Sequence, residues 1–329
     1  MNQRNFGNTS LRVSEIGFGA WAIGGGAMVG KTAIGWGDAD DESSLKAIHA
    51  ALDAGINFFD TADIYGLGHS ETLLGQILGN RRDVVVATKC GNVARNDQFT
   101  TDYSKQYLIE ACEKSLVRLK REAIDYYQLH TARLQHLQNG ECIEAMQQLQ
   151  KQGKIRYWGL SLNTFDPFAE AEYLMNEQLG SGFQLVLNLI NQRAVPLLEK
   201  MKQQGYGVIA RMPLQFGLLT GKFSANSVFA ENDHRKGRLT PALIAQSETA
   251  LAPIWQRCEK YQCSKASLAL SYILSHDAIS TAIPGIRTEA HVKQNSGGLF
   301  QLETSDIAWI ETEQKAAMDL LMQEIQALG

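Results

Sequence analysis

Basic residues are not in excess, membrane-length apolar runs are missing, and proline is scarce. With 31 Lys and Arg against 35 Asp and Glu, the formal net charge is −4, which leaves no surplus of cations to neutralise a phosphate backbone and makes nucleic acid an unexpected partner. No apolar run approaches the ~18 residues that a membrane span requires, and the start MNQRNFGNTS has no apolar core of the kind a secretory signal carries. No membrane partner is therefore expected, and the expected location is the cytoplasm. The five cysteines, Cys90, Cys112, Cys142, Cys258 and Cys263, are odd in number and scattered, which fits reduced thiols better than a disulfide framework. Only Cys258 and Cys263 are close, with no paired histidine to complete a zinc knuckle. His130 and His136 form a lone pair, more often structural or catalytic than metallated, so no metal is expected.

What the sequence holds is alternation. Short β-rich apolar runs alternate with longer segments whose apolar residues recur at helical spacing, the sign of a parallel sheet with crossover helices. About eight such units fit a chain of 329 residues, the number of a closed (β/α)₈ barrel in one domain spanning 1–329. The strands are predicted at Ile16–Phe18, Asn57–Phe59, Val84–Thr88, Tyr126–Leu129, Tyr157–Leu160, Gln184–Leu187, Val208–Ala210 and Ser280–Ile283. Asp41-Glu42-Ser43 opens a helix with Leu45, Ile48, Ala51 and Leu52 on one face, ending at Gly55. Ser104 opens another, with Leu108, Ala111, Ser115 and Leu119 inward, and a third runs from Glu141 to Gln152 before Gly153. Three stretches exceed the repeat: the glycine-rich Gly24–Asp40, the polar and basic Leu218–Thr240, and a C-terminal helix over Asp306–Leu328. No linker or internal repeat marks a domain boundary.

Ionisable residues sit where the strands end. In GINFFDTADIYG (55–66) Asp60 directly follows an apolar strand core and Tyr65 lies in the loop beyond. VVVATKCG places Lys89, and DYYQLH places His130, just past two further strands. Singly each could be a solvated rim charge; together, on three adjacent barrel strands, they converge on one side of the mouth where barrel enzymes work. A phenol has an unperturbed pKa near ~10 and is a weak acid at neutral pH. A lysine beside it favours the phenolate, since unit charges at ~4 Å are worth up to about 4 kcal/mol at an effective dielectric of ~20. Asp60 keeps that lysine charged, and His130 holds the substrate oxygen or helps pass the proton. Such a site suits proton transfer to a carbonyl oxygen and needs an external hydride donor. A Schiff-base lyase using Lys89 as nucleophile is the rival reading. Trp21, Trp36, Tyr65, His130 and the stretch Gly91–Phe99 are candidates for the substrate wall. Gly17–Ala22 matches the loose pattern G-x-G-x-x-A, but Gly24-Gly25-Gly26 cannot open the helix that a dinucleotide fold requires.

Taken together, LRVSEIGFGAW, GINFFDTADIYG, VATKCG, SLVRLKREAIDYYQLH, GKIRYWGLS, PLQFGLLTGKF and IPGIRTEAHVKQN span nearly the whole chain, and the sequence resembles the aldo-keto reductase superfamily. The resemblance implies a (β/α)₈ barrel that binds NAD(P)H across its strand ends and reduces an aldehyde or ketone. It implies Tyr65 as general acid, Asp60 and Lys89 as its tuning pair and His130 as the orienting residue, with Gly19, Ala20 and Trp21 lining the nicotinamide. Ser161 and Gln184 fall at the positions that hold the carboxamide, while the asparagine usual after that serine is replaced by Leu162, with Asn163 one place later. Arg211 stands where many members have an aromatic residue that stacks on the ring. Pro213, Leu214, Phe216, Gly217, Leu219, Gly221 and Lys222 match a loop over the pyrophosphate. Gly285, Arg287, His291 and Asn295 fall at the start of a helix where relatives hold the 2′-phosphate, and Arg287 and His291 favour NADPH over NADH. Some relatives regulate partners while hardly turning over, so a cofactor-sensing module is the third reading.

Overall fold

In the computed structural model, which describes residues 1–231 and 233–329, eight parallel strands form one sheet in chain order: β1 Phe18–Gly19, β2 Phe58–Asp60, β3 Val85–Cys90, β4 Ile124–His130, β5 Ile155–Ser161, β6 Gly182–Val186, β7 Gly207–Arg211 and β8 Thr281–Ile283. Parallel bridges Ile16↔Ala282 and Gly19↔Gly285 join the first strand region to the last and complete the (β/α)₈ barrel. All eight predicted strands are present. The first is displaced: Ile16 contributes only a bridge, and the strand proper begins at Phe18. After it comes a 3₁₀ turn over Ala22–Gly24 rather than a helix, so the G-x-G-x-x-A pattern does not open a dinucleotide-binding unit.

Helices α1 (Asp41–Asp53), α2 (His69–Leu78), α3 (Lys105–Leu119), α4 (Glu141–Lys151), α5 (Phe168–Asn176), α6 (Val195–Gln203), α7 (Lys265–Leu274) and α8 (Glu289–Ser296) cross between strands or follow the last. Their starts obey capping chemistry. Asp40 accepts a 2.8 Å bond from Ser43 N–H ahead of α1, and the Ser104 hydroxyl accepts from Tyr107 N–H ahead of α3. The buried face of α1 is Ser44, Ala47, Ile48 and Ala51; Leu45 and Leu52, predicted inward, lie at its edge, partly buried against the same core, as the helix packs on α2 and α8. The predicted C-terminal helix is two, Thr304–Thr312 and Lys315–Leu328. They dock on different neighbours: Asp306 is tied to Arg257, Lys260 and Tyr261, whereas the second packs along helix Pro241–Trp255. The apolar period runs through both, so the break was invisible to periodicity.

Alternation along the strands divides the core in two. Val86, Cys90, Tyr127, Leu129, Trp158, Leu160 and Phe183 face the helices, while Phe58, Val85, Ala87, Tyr126, Ile209 and Ile283 face the barrel axis. An N-terminal hairpin, Gln3–Asn5 paired antiparallel with Arg12–Ser14, brings Phe6, Leu11 and Val13 against this inner set. The Phe6 ring lies 4.8 Å from that of Tyr126, edge to face. Glycine makes the room: a Cβ at Gly207 would stand 2.5 Å from the Phe6 ring, and one at Gly159 2.0 Å from the Tyr126 hydroxyl. Gly207→Ala is expected to destabilise the protein by about 1–3 kcal/mol through overpacking. A thermal midpoint unchanged from wild type would show that the plug yields freely.

Candidate active site

The same alternation lifts polar groups to the C-terminal end of the barrel. Two residues above Phe58 stands Asp60, two above Ala87 stands Lys89, and above Tyr126 stand Gln128 and then His130. The register sets Gln128 beside Lys89, His130 beside Ser161, and Ser161 beside Gln184. Lys89 Nζ is fully buried and donates to Asp60 Oδ1 at 2.6 Å, to the Thr61 carbonyl at 2.8 Å and to Tyr65 Oη at 3.4 Å. Asp60 Oδ2 accepts from Gln184 Nε2 at 2.8 Å and Gln128 Nε2 at 3.1 Å. Burial opposes a charged lysine, but Asp60 and the Tyr65 oxygen outweigh it and hold the ammonium above its ordinary range. The pair persists because both ions are hydrogen-bonded on every side, the condition for ions taken out of water.

Tyr65 reaches this point because the chain after β2 runs along β3, with Thr61 N–H bonded to Ala87 O and Asp63 N–H to Lys89 O, and then turns at Gly66 (φ 59°). Its ring stacks on Trp21 at 5.8 Å and meets the His130 ring edge to face at 6.0 Å. Burial, with Lys89 and Arg211 nearby, pushes the His130 imidazole well below its usual range, so it is neutral; its Nδ1 is buried and unpaired. The four predicted catalytic side chains thus meet in one place. Gln128 went unnoticed in the sequence, although its position two residues before His130 marks it as facing inward.

Above them opens a cavity of about 900 Å³, within the range of small-molecule sites. Its wall includes Gly19, Ala20, Trp21, Trp36, Asp60, Tyr65, His130, Gln184, Arg211, Pro213, Leu214, Phe216, Gly217, Lys222, Gly285, Arg287, His291 and Asn295. Asn92 and Phe99, from an antiparallel hairpin (Asn92–Arg95 with Gln98–Thr101) inside the predicted Gly91–Phe99 wall, border it as well. Three expected positions stand back from it. Ser161 lies behind Gln184, its hydroxyl directed at Oε1 at 3.5 Å; Leu219 is core; and Gly221 packs under the Lys265 side chain. Asn163 turns away to accept from Phe165 and Asp166 N–H. Arg211 is anchored to the Leu162 carbonyl and the Thr164 hydroxyl, which fixes its guanidinium on the wall. Gly285 and Arg287 precede α8, whose cap is Thr288; His291 lies in its first turn and Asn295 in its last rather than at its start.

The two insertions roof this cavity together. Trp36 and Asp233 form an antiparallel bridge, His234 bonds Gly35, and the Arg287 guanidinium reaches the Trp36 and Asp38 carbonyls. His234 and Arg238 also line the cavity, though in the sequence they resemble a solvated basic run. One arm is rich in cations: burial and the charges of Arg235 and Arg287 push the Lys222 ammonium down, and burial with Lys222, Arg287 and Arg235 does the same to His291. The lining's carboxylates, Asp60 and Asp233, are each already paired, with Lys89 and Arg235. Mutually repelling cations around a cavity are a receptor for an anion.

The family model for the aldo/keto reductase family matches residues 15–314. The chain belongs to that family. An uncharacterised oxidoreductase, YqkF, of Bacillus subtilis is 31% identical over 303 residues, 90% of each chain. The NADH-specific methylglyoxal reductase of Escherichia coli is 29% identical over 91% of this chain and 94% of its own. Among solved structures, the glycerol dehydrogenase AKR11B4 from Gluconobacter oxydans superposes with a TM-score of 0.77 at 28% identity, covering 97% of this chain and 94% of that one. This aldo/keto reductase is accordingly an oxidoreductase acting on carbonyls or alcohols with a nicotinamide cofactor. Among its described residues no helix is long and apolar enough to cross a membrane.

Behind Lys89 lies a half-buried acid. Asp63 Oδ1 has no partner, and burial, reinforced by Glu71, pushes its carboxyl up to about 8. Its folded pKa exceeds the ordinary 3.8, so the folded state holds a proton that the unfolded chain releases, and stability falls as pH climbs from about 4 through about 8. Asp63→Asn is expected to remove that slope and to gain a few kcal/mol over wild type at pH 9 relative to pH 5. Denaturant midpoints that run parallel across this window would rule it out.

Proposed function

We propose that this aldo/keto reductase is a cytoplasmic NADPH-dependent reductase of aldehydes or ketones in which Tyr65 delivers the proton. The observation that carries the reading is the buried chain Asp60–Lys89–Tyr65 at the cavity floor. Bound NADPH supplies the hydride to the carbonyl carbon. Tyr65 gives its phenolic proton to the carbonyl oxygen as charge develops there, and the Lys89 ammonium beside the phenol oxygen stabilises the negative charge left behind. Asp60, held by Gln128 and Gln184, keeps Lys89 charged and in place. Neutral His130, whose side chain borders the cavity, hydrogen-bonds the substrate oxygen and orients it towards Tyr65. Gln184, with Ser161 behind it, would hold the carboxamide of the cofactor, and Trp21 and Arg211 would contact its ring.

The cation-rich arm favours NADPH: Lys222 and Arg287 meet phosphate charge, and His291 accepts from Arg287 N–H through Nδ1, which leaves Nε2 as a donor. The lyase reading loses its nucleophile, because a Schiff base needs a free neutral amine and Lys89 Nζ is charged, buried and engaged with three acceptors. A cofactor sensor would share the cofactor site and differ in turnover alone.

Tyr65→Phe is expected to lower carbonyl reduction at least ~100-fold while NADPH still alters tryptophan fluorescence with an affinity near that of wild type; normal turnover would remove Tyr65 from its role. Arg287→Ala should weaken NADPH about tenfold or more and NADH little, as loss of a charged hydrogen bond predicts. Equal weakening of both cofactors in the same titration would place Arg287 away from the 2′-phosphate.

A further inference from the structure

Two buried polar atoms in the roof of the cavity have no partner in the protein, and they are of opposite kind. The His234 side chain is only 4% exposed. Its Nδ1 lies 3.1 Å from the Gly35 carbonyl, which can only accept, so Nδ1 carries the proton and Nε2 is left as a bare acceptor. That Nε2 is buried and unpaired. Trp36 Nε1, a group that can only donate, is likewise buried and unpaired. The two rings lie 4.8 Å apart at 69°, and both border the cavity. Burial and the Arg238 guanidinium push the His234 imidazole down to about 4, so Nε2 remains an acceptor at neutral pH.

Leaving a buried donor and a buried acceptor unmade is costly, and native structures seldom do so without a function at the site. A hydroxyl is the small neutral group that gives and receives a hydrogen bond through one oxygen. Around the pair, Trp21, Phe216 and the two rings themselves make an aromatic enclosure, with centroid separations from 4.7 to 6.3 Å, edged by the Arg235 and Arg238 guanidinium groups over Trp36 and Phe216; rings and cations together suit a hydroxylated carbon chain. Position along the substrate follows from the stack. Trp21 lies against Tyr65 at 5.8 Å and against His234 at 4.7 Å, so His234 stands two ring stacks from the proton donor and receives a group remote from the reacting carbonyl.

We propose that Trp36 and His234 form a subsite for a distal hydroxyl of the substrate, the hydroxyl donating to His234 Nε2 and accepting from Trp36 Nε1–H, and that the carbonyl compounds turned over are polyhydroxylated. The proposal rests on the reductase reading above and names the substrate class for that same site.

The test is selectivity in the full-length protein with NADPH: kcat/KM for glyceraldehyde and erythrose against propanal and butanal, in wild type, His234→Phe and Trp36→Phe. Both substitutions keep an aromatic ring; Trp36→Phe deletes Nε1 alone, and His234→Phe deletes Nε2 together with the Nδ1 bond to Gly35. Wild type is expected to favour the hydroxylated aldehydes, and each variant to lower that selectivity ratio about 10- to 100-fold, the scale on which a site built to bond a hydroxyl discriminates. If the ratio is the same in all three proteins, substrate does not meet the two atoms, and the subsite is overturned. A folded Trp36→Phe that lowers the ratio by that factor supports it even if His234→Phe is unstable. Should wild type bind NADPH and reduce none of the four aldehydes, the reductase reading itself fails and the subsite falls with it; turnover of all four with no preference overturns the subsite alone.

Discussion

A lysine and an aspartate, taken wholly out of water and 2.6 Å apart, fix the geometry of everything above them. Their burial is tolerable only because Thr61, Tyr65, Gln128 and Gln184 saturate the remaining donors and acceptors. Those partners come from β2 and its loop, β4 and β6, so the charge pair ties together strands distant in sequence. A loop tyrosine is thereby held as firmly as a core residue. The usual looseness of loop-borne groups is offset by making the phenol one ligand of a buried ammonium.

The eight strands and most helices were legible in the sequence because period-two and period-3.6 patterns are strong where an element faces a core on one side. The tetrad was legible for the same reason: Asp60, Lys89 and His130 each follow an apolar strand, and strand ends in a barrel converge. What escaped was set by contacts between distant segments. Gln128 is inward by simple alternation, but an amide between Tyr127 and Leu129 draws less notice than a charge. His234 lies in a polar basic stretch whose fold depends on bridging to Trp36, nearly two hundred residues earlier, and nothing local announces that. Asn163 is drawn off by its own turn, a local hydrogen bond competing with any ligand. The split C-terminal helix depends on two docking surfaces that periodicity does not encode.

Two insertions give the barrel mouth its character. Residues 24–40 supply Trp36 and the Gly35 carbonyl, and residues 218–240 supply Phe216's neighbours, His234, Arg235 and Arg238. Neither closes the site alone; their edges pair. Within the resulting chamber aromatic rings and cations interleave: the Arg235 guanidinium lies 4.8 Å from the Trp36 ring and that of Arg238 5.5 Å from Phe216.

The hairpin stopper at the opposite end has a consequence in time rather than in energy. The space that Phe6 fills is bounded by Gly182 and Gly207, far along the chain, and Arg4 bonds the carbonyls of Leu274 and Ile279. At roughly 5–20 residues per second, Phe6 waits on the order of ten to forty seconds before Gly207 exists. Through that interval the inner apolar side chains of the earlier strands, Phe58, Val85, Ala87 and Tyr126, are without the last strands that complete their enclosure.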